Sequence, residues 1–274
     1  MGQSMFHVDA FTDRPFAGNP AGVCVLNAPA DATWMQAVAR EMALSATAFL
    51  HPEGSAYALR WFGPAGELAF CGHATLASAH ILWSEGHLAP GVPARFQTCS
   101  GLLTAEQRGD AIDLDFPADP PAEITPPDGL VEALGVEAVL VGRNRLDIIV
   151  VVADEAIVRG VQPDIVRLAM VPTRGVIVTS QSDDLQFDFV SRFFAPAAGI
   201  PEDSVTGSAH CCLGPYWAER LGKNTLVGFQ ASPRGGVVHV ELTGDRVKLR
   251  GQAVTVMRGE LMGEADVFRP DEEQ

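Results

Sequence analysis

The chain has 274 residues, of which 47% are hydrophobic and 19% charged. This length and balance fit a globular protein with one large domain or two modest ones. Its formal net charge of −15 repels phosphate backbones and anionic lipid heads, which argues against nucleic acid or a membrane surface as a partner. No apolar stretch approaches the roughly 20 residues that cross a bilayer, and no secretory signal is recognisable, so the expected location is the cytoplasm.

The first half of the chain is expected to contain several strands and two helices. Asp31 is a suitable N-cap for a helix that runs to about Met42. A second helix is predicted from Cys71 to about Glu85, because its apolar residues recur at helical spacing. The predicted strands are Met5–Phe11, Gly22–Leu26, Ala46–Leu50 and Tyr57–Phe62.

A proline-rich segment is expected to separate two lobes, residues 1–117 and 128–274. Whether a C-terminal strand or helix crosses over to the N-terminal lobe is left open. Proline cannot continue a helix or a central strand, so the linker is placed at about 118–127. The main helix of the second lobe is predicted from Thr206 to about Leu221, with Gly222 as its C-cap. A shorter helix is expected near Asp164 to Met170, and strands at Leu146–Ala153, Gly175–Thr179 and Phe187–Phe194.

The two halves of the sequence resemble each other at an offset of about 135 residues. The segments GLLTAEQRGDAIDLDFPA from Gly101 and GVVHVELTGDRVKLRGQA from Gly236 share six identities without a gap. At the same offset, Cys71-Gly72-His73-Ala74 aligns with Thr206-Gly207-Ser208-Ala209. Two further blocks align in the same order, so the sequence predicts two similar lobes that arose by internal duplication.

Candidate ligand-binding groups lie where these two aligned segments begin their helices. Free backbone N–H groups and the positive end of the helix dipole favour an anion there. Gly72 and Gly207 let a ligand approach the backbone, and the hydroxyls of Thr206 and Ser208 can donate as well. We therefore expect a small carboxylate-bearing molecule at these two helix starts, with ordinary capped helices as the alternative.

Three further side chains near these helices have alternative roles. His73 is a candidate general acid/base or hydrogen-bond donor, and otherwise a structural histidine, and the helix dipole disfavours its imidazolium form. Asp203 is a candidate proton acceptor or a helix cap. Cys71 could be a thiolate base, because a helix start lowers a thiol's pKa. Its counterpart is Thr206, which excludes a two-thiol mechanism.

The other cysteines are expected to be reduced thiols without a metal. The five cysteines form no CxxC pair and no metal-like spacing with histidine. We expect Cys24 and Cys99 to be buried and structural.

Four segments together closely resemble the PhzF-like phenazine-biosynthesis family, and the resemblance spans nearly the whole chain. They are Asp9–Thr12, Phe16–Val23, Cys71–Thr75 and Asp203–His210. The resemblance implies an α+β, diaminopimelate-epimerase-like fold in which each lobe is a mainly antiparallel sheet wrapped around a central helix. It also implies a homodimer and an active site between the lobes.

The best-studied activity of that family isomerises trans-2,3-dihydro-3-hydroxyanthranilate without a cofactor or metal. By resemblance, His73, Asp203 and Ser208 match active-site positions, and the Gly72 and Gly207 backbones match a carboxylate cradle. The family's Ser-Glu-Thr-Ala-Phe segment supplies a proton-transferring glutamate, but this chain has Ala46 there. We therefore expect a cofactor-independent isomerase or epimerase-like enzyme acting on a small carboxylic acid. The alternatives are a carboxylate-binding protein that has lost the chemistry and, less favoured, a lyase or hydratase.

Overall fold

The computed structural model describes residues 2–262, and the chain divides into two compact units. Unit 1 falls within Met1–Leu114 and Gly251–Gln274, and unit 2 spans Asp115–Arg250. The expected second lobe, 128–274, therefore differs from unit 2 at both ends, and its residues 263–274 lie outside the described part of the chain.

Unit 1 is a strongly curved sheet around a buried helix. Its helices are α1 (Ala32–Met42) and α2 (Gly72–Ser84). Its strands are β1 (Gln3–Ala10), β2 (Asn19–Val25), β3 (Ala46–Glu53), β4 (Ala56–Gly63), β5 (Gly66–Leu68), β6 (Ala94–Thr98), β7 (Gly101–Arg108), β8 (Ala111–Pro117) and, from the other end of the chain, β18 (Ala253–Leu261).

The strands of unit 1 are hydrogen-bonded in the order β18-β1-β2-β3-β4-β6-β7-β8. The pairs β2–β3 and β4–β6 are parallel, and the others are antiparallel. The short strand β5 pairs antiparallel with the end of β4. Each parallel pair is joined by a helix, α1 and α2 respectively, as parallel neighbours require a crossover connection.

Unit 2 repeats this connectivity. Its strands are β9 (Ala122–Glu123), β10 (Leu140–Arg143), β11 (Asp147–Val151), β12 (Gly175–Gln181), β13 (Phe189–Ala195), β14 (Ile200–Asp203), β15 (Thr225–Gln230), β16 (Gly236–Thr243) and β17 (Arg246–Gly251). Its helices are α3 (Leu130–Leu134), α4 (Glu155–Gly160), α5 (Ile165–Leu168) and α6 (Gly207–Leu221).

The strand order in unit 2 is β9-β10-β11-β12-β13-β15-β16-β17, with β14 against β13. Here β11–β12 and β13–β15 are parallel and the other pairs antiparallel, which matches unit 1 strand for strand. Helix α6 joins β13 to β15 as α2 joins β4 to β6. The predicted duplication and the α+β, diaminopimelate-epimerase-like class are thus confirmed. The segment expected to be a linker contains β9, which pairs with β10.

The central helices are apolar on nearly all sides because the sheet surrounds them. Helix α2 buries Leu76, Ile81 and Leu82 together with its small residues, and a helix that is hydrophobic all round belongs in a core. Helix α6 likewise buries its middle, and Gly222 ends it in the left-handed conformation (φ 66°) that glycine adopts without strain. Helix α1 begins as predicted, since the Asp31 carboxylate accepts hydrogen bonds from the N–H groups of Thr33 and Trp34.

The cysteine expectations are confirmed for Cys24 and wrong for Cys99. Cys24 is fully buried, and this burial raises the pKa of its thiol to about 12. Cys99 is exposed, because it lies in the turn between β6 and β7, and its Sγ approaches the carbonyl of Ala69 at 3.5 Å. Cys211 is buried in α6, and burial raises its thiol pKa to about 12 as well.

His210 occupies in α6 the position that Thr75 occupies in α2. The His210 Nδ1–H donates to the Thr206 carbonyl at 2.8 Å, and the Thr75 hydroxyl donates to the Cys71 carbonyl at 2.7 Å. His210 has no exposed surface, and burial lowers its pKa to about 4. Its Nε2 atom has no hydrogen-bond partner within residues 2–262. The ring therefore stays neutral in the folded protein and supports the first turn of α6.

We expect His210 to make the protein less stable in mild acid. Between pH 6.5 and 4 the imidazole of residue 210 binds a proton in the unfolded chain but not in the folded one. The contribution of His210 to the free energy of unfolding is therefore complete above pH 6.5 and is lost as the pH falls. From the difference between the two pKa values, the free energy of unfolding should fall by about 2–3 kcal/mol between pH 7 and 4.5. Urea unfolding of the wild type and His210→Thr at both pH values measures it.

In His210→Thr the loss of unfolding free energy that His210 causes in acid should disappear. Threonine keeps a donor to the Thr206 carbonyl but does not titrate. The matched control is His87→Thr, because His87 is exposed, and it should retain the wild-type difference between the two pH values. An equal acid loss in His210→Thr and the wild type would show that the buried imidazole is not its source.

Candidate functional site

The first turn of α2 presents backbone donors that no group within residues 2–262 accepts from. The N-cap residue, Cys71, is extended (φ −152°, ψ 100°), and its side chain caps no backbone group. The N–H groups of Gly72 and Ala74 have no acceptor among the described residues, although both residues are buried. Buried donors are normally paired. This helix start therefore has the character of an anion-binding site.

His73 lies in that first turn and is held by two neighbouring strands. Its Nδ1 is 3.3 Å from the side-chain nitrogen of Asn19, the first residue of β2. Its Nε2 is 3.3 Å from the hydroxyl of Ser45, the residue before β3, and that hydroxyl donates to Asn19 Oδ1 at 3.4 Å. Asn19, Ser45 and His73 form what we call the unit-1 cluster. In the sequence, Asn19 was only part of the Phe16–Val23 segment that resembles the family, and Ser45 was assigned no role.

Cys71 is part of the same surroundings. Its side chain is 7% exposed, and its Sγ lies 3.5 Å from His73 Nδ1 and 3.8 Å from Nε2. The structure thus brings two of the sequence-predicted groups, Cys71 and His73, into contact at the start of α2.

In unit 2 the loop before α6 is fixed by a buried glutamine. The Asp203 carboxylate accepts a hydrogen bond from the Thr206 hydroxyl at 2.6 Å. Gln230, fully buried in β15, accepts from the Thr206 N–H at 2.8 Å and donates to the Asp203 carbonyl at 2.8 Å. The Thr206 hydroxyl proton, expected to be available to a ligand, is therefore directed at Asp203 because the two residues share one tight turn.

The first turn of α6 also has unsatisfied backbone donors. Thr206, its N-cap residue, makes no side-chain capping bond. Within residues 2–262, no group accepts from the N–H of Gly207, Ser208 or Ala209. This matches the situation at α2, as the aligned sequence segments predicted.

A positive charge, which the sequence reasoning missed, lies beside this turn. The Arg174 guanidinium donates to both carboxylate oxygens of Asp147, with Nε 2.8 Å from Oδ1, and its Nη2 donates to the Ser208 hydroxyl at 2.8 Å. Asp147 is 1% exposed, whereas the Arg174 side chain is 37% exposed. The guanidinium also lies over the Phe193 ring, 5.7 Å from its centroid. Asp147, Arg174 and Ser208 form the unit-2 cluster.

The two clusters occupy matching positions in their units. Asp147 is the first residue of β11 as Asn19 is of β2, and Arg174 precedes β12 as Ser45 precedes β3. Ser208 and His73 are each the second residue of the central helix. The same framework thus carries an asparagine, a serine and a histidine in unit 1, and an aspartate, an arginine and a serine in unit 2.

Ala46, the first residue of β3, has no exposed surface and pairs with Ala21 of β2. A methyl group transfers no proton. Groups that can transfer protons are present at His73, Asp203 and Cys71. Among residues 2–262, no group of three or more His, Cys, Asp or Glu side chains is arranged to hold a metal ion. None of the described helices has the length and apolar composition to cross a membrane.

Known proteins resemble the chain over nearly its full length. An uncharacterized isomerase of Halalkalibacterium halodurans is 52% identical over 259 residues, covering 94% of this chain and 98% of that protein. A human phenazine biosynthesis-like domain-containing protein is 39% identical, with the same coverages. The crystal structure of a PhzF-family protein from Enterococcus faecalis superimposes with a TM-score of 0.91 at 40% identity, covering 95% of this chain and 99% of that one.

A more distant structure extends the likeness of fold alone. A probable proline racemase from Agrobacterium radiobacter matches with a TM-score of 0.65 at 13% identity. The sequence profile of the phenazine biosynthesis-like protein family matches residues 8–259. The chain belongs to the phenazine biosynthesis-like protein family.

Proposed function

We propose that the chain is a cofactor-independent isomerase that acts on a small carboxylic acid. The substrate carboxylate binds at the helix starts through Gly72, His73, Gly207 and Ser208. Thr206 belongs to the same site but holds Asp203 in place, because its own donors are engaged by Gln230 and Asp203. His73 and Asp203 are the catalytic residues. The proposal adds Arg174 to the binding residues. The relatives whose names contain the word isomerase, with nearly full coverage of the chain, support the reaction class.

The observation that carries the proposal is the pairing of unsatisfied donors with a fixed cation at α6. The N–H groups of Gly207 and Ser208 have no acceptor within residues 2–262, and the guanidinium of Arg174 is anchored on Ser208. Nε and Nη2 of Arg174 are engaged, and Nη1 makes no hydrogen bond with a described residue. In a chain of net charge −15, this site favours a carboxylate over a neutral group.

Ala46 supports a second candidate function, that of a carboxylate-binding protein without catalysis. The family segment carries its proton-transferring glutamate at this position, and the buried methyl of Ala46 cannot replace it. The two candidates differ in one measurable property. An isomerase exchanges a carbon-bound hydrogen of its substrate with solvent deuterium, whereas a binding protein does not.

The deciding experiment is a thermal-shift screen of small carboxylic acids, followed by NMR detection of deuterium incorporation into each acid that binds. We expect incorporation with the wild type and its loss in Asp203→Asn, because the carboxylate is the group able to accept a proton from carbon. Binding without incorporation by the wild type would instead establish the second candidate.

We expect Arg174 to determine affinity for the carboxylate. A hydrogen bond to a charged group contributes about 1.5–3 kcal/mol, so Arg174→Lys should weaken binding of the screened acid by about 10–100-fold. Lysine keeps a charge beside Asp147 but lacks the planar fork that reaches Asp147 and Ser208 together. Isothermal titration with the acid found in the screen measures the change.

The control for this variant is Arg167→Lys, because Arg167 is exposed in α5 and pairs with Asp164. It should bind the acid as the wild type does. Wild-type affinity in Arg174→Lys would remove Arg174 from the site while leaving the proposed reaction class untouched.

We expect Ala46→Glu to raise turnover of trans-2,3-dihydro-3-hydroxyanthranilate by less than about tenfold. A missing general acid/base typically costs about 10²–10⁴-fold, so restoration on that scale would require every other feature of the family's usual chemistry to remain in place. The buried surroundings of Ala46 leave a longer side chain little room in the present packing. Turnover assays of the wild type, Ala46→Glu and the isosteric Ala46→Gln measure the effect.

A rise of 10²-fold or more in Ala46→Glu but not Ala46→Gln would show that the chain retains the family's usual substrate and lacks only this carboxylate. Rapid turnover by the unmodified protein would show that another residue transfers the proton.

A further inference from the structure

The hydrogen bonds of the unit-1 cluster close into a ring that fixes where His73 carries its proton. The side-chain nitrogen of Asn19 faces His73 Nδ1 at 3.3 Å, and this nitrogen can only donate. Nδ1 must therefore accept, which requires it to be unprotonated. The single proton of the neutral imidazole then lies on Nε2.

The other two hydrogen bonds agree with this assignment. His73 Nε2–H donates to the Ser45 oxygen at 3.3 Å, and the Ser45 hydroxyl donates onward to Asn19 Oδ1 at 3.4 Å. Each of the three residues donates once and accepts once in the ring. The Cys71 thiol, 3.5 Å from Nδ1, is a weak donor and also faces the unprotonated nitrogen. An imidazolium would direct its Nδ1–H at the Asn19 amide protons, and the ring would open.

We infer that Asn19 is a positioning residue that holds His73 in the neutral tautomer with its proton on Nε2. It acts through the imidazole and need not touch the substrate. Asn19 can do this because it is the first residue of β2 and its side chain reaches the first turn of the central helix α2.

The unit-2 cluster shows what the same positions do when their charges differ. There the residue at the start of the strand is Asp147, which accepts only, and its neighbour is the cationic donor Arg174. The residue on the helix, Ser208, accepts from that cation at 2.8 Å. In both units the first residue of the strand sets the direction of the hydrogen bonds, so the amide of Asn19 specifies a neutral ring in unit 1.

This tautomer assigns the roles of the two proposed catalytic residues, a step that rests on the proposed function. With Nδ1 occupied by Asn19, His73 has no vacant lone pair for a substrate proton, and its one N–H, which donates to Ser45, can act only as a donor. The Asp203 carboxylate then takes the proton from a substrate carbon and becomes a neutral carboxylic acid. The electron pair stays on the substrate, and Asp203 returns the proton to a second carbon as it becomes a carboxylate again.

The test is the tautomer itself, read by nitrogen NMR of protein labelled with ¹⁵N-histidine at pH 8, above the ordinary titration range of histidine. His73→Gln identifies the His73 signals. We expect the far-downfield, unprotonated nitrogen to be Nδ1, and the protonated nitrogen to be Nε2, which couples to both carbon-bound ring protons. The opposite pattern would mean that the Asn19 amide is reversed, and would overturn the inference without any variant.

Asn19→Asp gives the sharpest contrast. A carboxylate can only accept, so His73 should move its proton to Nδ1, and the two nitrogen signals should exchange character. Ser45→Ala should keep the wild-type tautomer, because the Asn19 donor remains. Asn27→Asp, an exposed site in unit 1, introduces the same charge elsewhere and should leave the His73 signals in place.

An unchanged His73 tautomer in folded Asn19→Asp would overturn the positioning role of Asn19. If Asn19→Asp does not fold, the wild-type spectrum still decides the tautomer and the Ser45→Ala spectrum decides whether Asn19 suffices to hold it. The proposed isomerase function is tested separately. It fails if no acid that binds the wild type incorporates deuterium, and this result does not depend on the tautomer of His73.

Discussion

Each unit is built around a central helix whose own N-cap side chain does not cap its first turn. The N-cap residues of α2 and α6, Cys71 and Thr206, make no capping bond to the backbone. The free N–H groups of a first turn cost free energy when buried unpaired. The strands around each helix bring polar side chains to the same turn, Asn19 to α2 and Arg174 to α6. Unpaired N–H groups at a helix start favour an anion.

The duplication lets one framework hold two different chemical environments. Gly175 begins β12 where Ala46 begins β3, and a Cβ at Gly175 would lie 2.3 Å from the Phe193 ring. The absence of a side chain at Gly175 therefore admits the aromatic ring over which Arg174 lies. In unit 1 the corresponding position holds the buried methyl group of Ala46. The two helix starts are alike in backbone but differ in side chains. Ser208 accepts from an arginine that is paired with Asp147, whereas His73 contacts the amide of Asn19 and the hydroxyl of Ser45.

The sequence was sufficient for the features that depend on local chemistry or on repetition. Asp31 predicted the start of α1, Gly222 the end of α6, and the aligned helix starts predicted the twofold repeat of the fold. The sequence did not reveal contacts set by strand register. Arg174 and Ser208 are 34 residues apart, and nothing local distinguishes Arg174 from the other arginines until β12 is placed next to β11. Cys99 was expected to be buried because cysteine is apolar. It is exposed because the pairing of β6 with β7 places it in a hairpin turn.

The position of β18 has a consequence for how the chain is made. This strand, Ala253–Leu261, pairs along the whole of β1, so the first strand synthesised receives one of its two neighbours from the last one described. Unit 2 is continuous in sequence, from Asp115 to Arg250, and all of it has been translated before β18 emerges from the ribosome. Domains generally fold as units during synthesis, the N-terminal one first. In this chain the N-terminal unit is instead completed last, because unit 2 can fold before β18 is available to β1. Until then β1 presents an unpaired strand edge, the kind of surface through which nascent chains aggregate.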